Sequence, residues 1–397
     1  MSEGGNTRER DTFEESVEEV RELMASADLE EDAEDIESRG AALLGNRRQV
    51  ISLALAVILM VIAIYVVFPK VVGVGDAVGE LDEATWYWLV IALGFNVVRF
   101  LAYSSLFRGV LSGEGDDEVN RRLDFRASYQ ITMAGFAATI LFSAAGAGGV
   151  ALTYWALRKA GMERRRAACR MVAFMVLLYT VYLASLLIFG VLLRVGVFSG
   201  ERPIAGTIVP AAIAGGALVI LGFVALLPGD FERRMAAFRR RRKLRALATG
   251  PATLATGVRT ALTYIRHPTR SASAIVGAVG WWAGNIGILW ASFHAFHVGV
   301  PLGVVVQGYF LGMVANLAPS PAAGVGTVDA GLIGAFVLFG IPAVTVFPAI
   351  LIFRLIAFWL PIPLGVWAYV QLRRTIHRWS EEPAGATIKS EVTAKAT

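Results

Sequence analysis

Four ionisable side chains stand inside long apolar stretches of this 397-residue chain: Arg99, Arg170, Asp329 and Arg354. Charge is costly inside a bilayer, and where it occurs it faces protein or a water-filled path and marks binding or transport. Arg99 follows Asn96 by one helical turn, so on a helix the two share a face. Arg354 lies deepest in its apolar stretch, and Asp329 is placed to pair with it, which lowers the cost of burying either. The chemistry this set suggests is the holding of a polar headgroup. Arg99 and Arg354 draw its negative charge, Asn96 and Asn285 orient it, and Asp329 sets local charge or carries a coupling proton. Arg170 is nearer the end of its span, where bracing a helix and binding a ligand are both open.

Glycines supply the second kind of chemistry. Gly146, Gly148 and Gly149 interrupt one apolar stretch, and Gly324 and Gly326 interrupt another. A chain reversing within a membrane needs positive φ and close backbone approach, which glycine permits. Reversal also leaves helix-end N–H groups unpaired, and these attract an anion such as phosphate. Small residues equally serve plain helix packing. Pro319 and Pro321 strengthen the second break, and Asn316 and Ser320 flank it as possible caps of the following helix.

Other chemistries fare poorly. One cysteine, Cys169, excludes a disulfide framework and a cysteine-built metal site. His294 and His297 have no carboxylate close in sequence and read as interfacial side chains, so no metal or cofactor is expected. No Walker A sequence occurs, so ATP is not the expected energy source. Asp76, Glu80, Asp82 and Glu83 share one loop and keep open an enzyme acting on a lipid-linked sugar. The acidic first 48 residues keep open a membrane anchor that recruits a partner.

The elements that must position these groups are membrane helices. Hydrophobic residues make up 56% of the chain and charged ones 17%, too few for an ordinary soluble domain. Apolar runs long enough to span fall at 49–68, 85–107, 168–193, 206–227, 272–296 and 344–371. Stretches 128–157 and 301–340 are broken by small residues in mid-course. Arg47 and Arg48 place the N-terminus inside, and the acidic loop 69–84 lies outside. Arg108, Arg121, Arg122 and Arg126 precede stretch 128–157, and Arg158, Lys159, Arg164, Arg165 and Arg166 follow it. Both flanks therefore carry the inside signal, so 128–157 is expected to enter and return as a hairpin. Counting onward, 301–340 is a second hairpin from the outer side, and both termini are cytoplasmic. Residues 1–48 read as an acidic cytoplasmic segment with 15 Asp/Glu and four Arg within residues 1–40. Residues 49–371 form the transmembrane domain and 372–397 the cytoplasmic tail. Segment 228–270, with 11 Arg/Lys, reads as a cytoplasmic loop lying along anionic headgroups. Basic charge beside apolar spans points to membrane lipids as partners and not to nucleic acid; homo-oligomerisation is open.

The chain also repeats. Asn96, Ala102 and Phe107 match Asn285, Ala291 and Phe296 at one offset, each set preceded by tryptophans (Trp86, Trp88; Trp281, Trp282). Arg170-Met-Val-Ala-Phe-Met matches Arg354-Leu-Ile-Ala-Phe-Trp. Each half reads span, hairpin, span, and the orientation makes the halves opposed. The expected fold is an all-α polytopic membrane protein built as an inverted repeat of span–re-entrant hairpin–span units, a plan in which transporters bind substrate between the repeats.

The run Asn316-Leu-Ala-Pro319-Ser-Pro321-Ala-Ala-Gly324-Val-Gly326-Thr-Val-Asp329 resembles the signature of the lysylphosphatidylglycerol synthase transmembrane (flippase-like) family. Asn96, Arg99 and Arg354 fit that pattern, and Asp329 stands where the family more often has glutamate. The resemblance covers about 50–371 and implies a bacterial inner-membrane protein that moves a lipid or lipid-linked headgroup between leaflets. Around Gly146 the chain lacks the arginine and Gly-Glu pair of many relatives. Relatives that make lysyl-lipid carry a soluble transferase domain after the membrane part, and no room for one follows residue 371. A transporter and not an enzyme is expected.

Overall fold

A computed structural model describes residues 84–111, 117–141, 147–226, 258–264, 271–317, 324 and 326–381. The described residues are helical, with no strand among them. Helix α1 is Trp86–Leu111, α2 Asp117–Arg122, α3 Phe125–Leu141, α4 Ala147–Lys159 and α5 Arg164–Val195. A 3-10 turn Ile204–Gly206 leads into α6, Ile208–Leu226. Then come α7 Ala272–Ala295, α8 Leu302–Met313, α9 Thr327–Leu338, α10 Ala343–Arg354, a π turn Leu355–Trp359, and α11 Pro361–Glu381.

Among the described residues, five helical stretches are long and apolar enough to cross a membrane: Trp86–Leu111, Arg166–Val195, Ile204–Val224, Ala272–Ala295 and Ala343–Trp379. They coincide with five of the six spans read from hydropathy. The sixth, 49–68, lies outside the described residues, as do the acidic segment, its loop acids and Gly146. The last helix continues beyond 371 and becomes amphipathic there: Leu372 and Ile376 are buried while Arg373, Arg374 and Arg378 are exposed.

Both broken stretches resolve into paired helices. Arm α3 packs along α4, and α8 along α9. Arms α8 and α9 have 12 residues each, roughly 18 Å of helix at about 1.5 Å per residue and short of the roughly 30 Å hydrocarbon core. The glycines expected at the first tip fall differently. Gly148 and Gly149 belong to the first turn of α4. Packing explains Gly149: a Cβ there would lie 2.6 Å from the Gly135 carbonyl oxygen of α3.

The longest seam joins α1 and α7, which run antiparallel. The Thr85 N–H bonds the Ala295 carbonyl at one end, and Gly109 meets Ser273 and Ala274 at the other. Glycine makes this approach possible, since a Cβ on Gly277 would sit 2.5 Å from the Leu106 backbone nitrogen. Around this pair, α3 packs on α11 and α8 packs on α5, while α10 lies against α7 and α9. Two aromatic polar tips along these seams find partners: Trp282 Nε1 donates to the Leu178 carbonyl (2.9 Å), and Tyr182 Oη to that of Phe310 (2.5 Å).

Candidate intramembrane charge site

Helix α1 buries the face bearing Asn96 and Arg99 because α7 covers it. Arg99 is 2% exposed and is the largest fully buried side chain among the described residues. Its Nη1 donates to Asn285 Oδ1 (2.7 Å), and Asn285 Nδ2 donates in turn to the Trp281 carbonyl one turn back (2.8 Å). Its Nη2 donates to the Ala357 carbonyl (2.8 Å). Three rings enclose the guanidinium, with centroids 4.5 Å (Phe100), 4.9 Å (Trp281) and 5.8 Å (Phe136) away. Two polar atoms in this nest have no partner among the described residues, Arg99 Nε and Asn96 Oδ1. No carboxylate among the described residues forms an ion pair with Arg99.

The Ala357 carbonyl has a local reason to accept from a side chain. In an α-helix its donor would be the N–H of residue 361, and residue 361 is proline. The chain locally widens to a π turn, with the Leu360 N–H bonding back to the Leu355 carbonyl (2.9 Å). Gly206 shows the same arrangement: its α-helical donor would come from Pro210, and Gln307 Nε2 fills the carbonyl instead (3.0 Å).

Arg354 lies one turn before Ala357. Its Nε is 2.7 Å from Asp329 Oδ1, an ion pair whose N–H is angled off the line of a hydrogen bond. Its Nη2 donates to the Gly324 carbonyl (3.0 Å), and its guanidinium lies 4.5 Å over Phe358. Asp329 Oδ2 accepts the Gly326 N–H (2.9 Å), closing the first turn of α9. Gly324 and Gly326 have φ of +92° and +86°, as a reversal there requires. A Cβ on Gly324 would also meet Val328 at 2.6 Å.

Of the residues singled out from sequence, the fold joins Arg99 with Asn285, and Arg354 with Asp329, Gly324 and Gly326. The two groups adjoin through segment 355–359. Asn96 lies beside Arg99 but holds no partner at its oxygen. Asn316 is exposed and forms no cap; Asp329 takes that role from within α9, and Ser320 lies outside the described residues. Arg170 braces α1, donating to the Val110 carbonyl at 2.6 Å. The pattern missed Trp281, Phe136, Gln307 and Tyr309. Tyr309 is 2% exposed and its ring packs on Trp282, Phe310 and Phe353. Only Gln307, a lone amide in an apolar arm, had a sequence signal. No group of three metal-ligating side chains occurs among the described residues.

The family described as Lysylphosphatidylglycerol synthase TM region matches residues 49–365. No curated protein and no solved structure matches the chain.

Proposed function

The chain belongs to the lysylphosphatidylglycerol synthase TM region family, and from that premise we propose that this multi-pass membrane protein moves a lipid or lipid-linked headgroup between leaflets. Arg99 carries the reading. A buried guanidinium with no carboxylate partner among the described residues is costly to insert, about 2.5–3.5 kcal/mol at the centre of a membrane helix even on the mildest scale. Hydrogen bonds and rings offset part of that cost but leave the charge itself unbalanced. An anionic headgroup balances it, and Asn96 Oδ1 and Arg99 Nε offer an acceptor and a donor that the described residues leave unused.

The inverted repeat is part of the same reading. Its support is the antiparallel α1–α7 seam and the exchanged packing of the first arm of each hairpin (α3, α8) on the last span of the other half (α11, α5). In this arrangement the hairpins enter from opposite faces, the termini are cytoplasmic and the protein sits in the inner membrane. The chain acts as a transporter and not as a transferase, with lipid as its partner.

The test is lipid movement in vesicles bearing the purified protein, with fluorescent phospholipid scored by quenching from outside. Arg99→Gln and Arg354→Ala are expected to slow movement at least about tenfold, the loss of one charge-assisted contact. Movement at the parent rate in both folded variants overturns the reading.

A further inference from the structure

Arg99 reaches the chain at Ala357, inside the π turn between α10 and α11, and Arg354 stands one turn before it, at the end of α10. A π turn holds one residue more than the α turn it replaces, so it persists only where something selects it. Two features select it in this chain. Pro361 withholds the N–H that α register would give Ala357, and Arg99 Nη2 satisfies the carbonyl left over. We propose that Pro361 and Arg99 are positioning residues for the hairpin tip: they hold segment Leu355–Trp359 in π register, and that register holds Arg354 on Asp329 and Gly324.

The coupling is geometric. Closing the segment to α register removes one residue from the turn and rotates α10 against α11 by about 100°, one residue of a 3.6-residue helix. Arg354, the last residue of α10, is carried with it. Its contacts at 2.7 Å to Asp329 and 3.0 Å to Gly324 do not survive such a rotation. Releasing them frees the first turn of α9, where Thr327 Oγ1 is buried with no partner among the described residues. A group that draws Arg99 from Ala357 therefore loosens a tip that it never touches. The inference goes beyond lipid transport and does not depend on it.

Thiol labelling of the full-length protein in detergent tests this. Thr327→Cys in a Cys169→Ser background reports tip opening as the rate of maleimide reaction. Pro361→Ala supplies the missing N–H and leaves Arg99 in place. It is expected to raise the rate about tenfold, as loss of a charge-assisted hydrogen bond would. Pro363→Ala, the neighbouring exposed proline, is expected to leave the rate unchanged. Arg99→Gln strands the Ala357 carbonyl and is expected to raise the rate as well, so it carries the test if Pro361→Ala does not accumulate folded. A rate unchanged in the folded Pro361→Ala protein overturns the coupling. So does an equal rise with Pro363→Ala, which would mark general helix stiffening. Lipid movement does not enter this readout, so failed transport with the expected labelling removes only the transport reading.

Discussion

Removing the Asp329 carboxylate tests the energetics of the site most directly. Asp329→Ala leaves the Arg354 guanidinium, 6% exposed, without its counter-charge. Breaking a buried pair from one side costs about 3–5 kcal/mol. The lower end applies, because Asp329 is 15% exposed and the facing N–H is angled away. Loss of the bond from the Gly326 N–H adds about 1 kcal/mol, as for a helix cap. The expected total is about 4 kcal/mol. Asp329→Asn keeps an oxygen for the Gly326 N–H and is expected to cost about 3 kcal/mol. Asp329→Ala with Arg354→Met removes the stranded charge and keeps most of the side-chain volume. It loses the cap, the bond to Gly324 and the charge over Phe358, about 2–3 kcal/mol in all. The assay is reversible unfolding in mixed micelles, comparing both single variants with the double. A cost below about 1 kcal/mol for Asp329→Ala, or a double variant equal to the sum of its singles, refutes the argument, since coupling is the signature of a paired buried charge.

Gly277→Val places branched carbons against the Leu106 backbone, 2.5 Å from where its Cβ starts. It is expected to part the α1–α7 seam and cost about 3 kcal/mol or more, read by the same unfolding assay. Gly324→Ala meets both a φ of +92° and the Val328 side chain at 2.6 Å. It is expected to cost about 2 kcal/mol, whereas Gly334→Ala, a helical glycine with open space around it, is expected to be neutral or slightly stabilising.

Hydropathy and charge placement are local properties, and they were enough for the all-α class, the five described spans and the two broken stretches. Gly324 and Gly326 were readable for the same reason, since positive φ is a demand of the residue itself. Asp329 and Arg354 were readable as a pair because two charges in one apolar region have few other partners. The first hairpin shows where this reasoning fails. Glycines that break a stretch and glycines that let two helices touch look alike in sequence, and Gly149 is of the second kind. Asn316 was equally plausible as a cap, until Asp329 occupied the helix end from the other side.

By itself, then, the sequence determined which segments enter the membrane, where they break, and which charges must be buried with them, because these follow from each residue's transfer cost and backbone freedom. Only the tertiary structure decided which groups answer those charges. Arg99 meets a carbonyl far along the chain that Pro361 leaves without a donor, inside a cage of Phe100, Phe136 and Trp281 drawn from three helices. Each of those partners is an ordinary apolar or backbone group whose role shows only when packing sets it against a guanidinium.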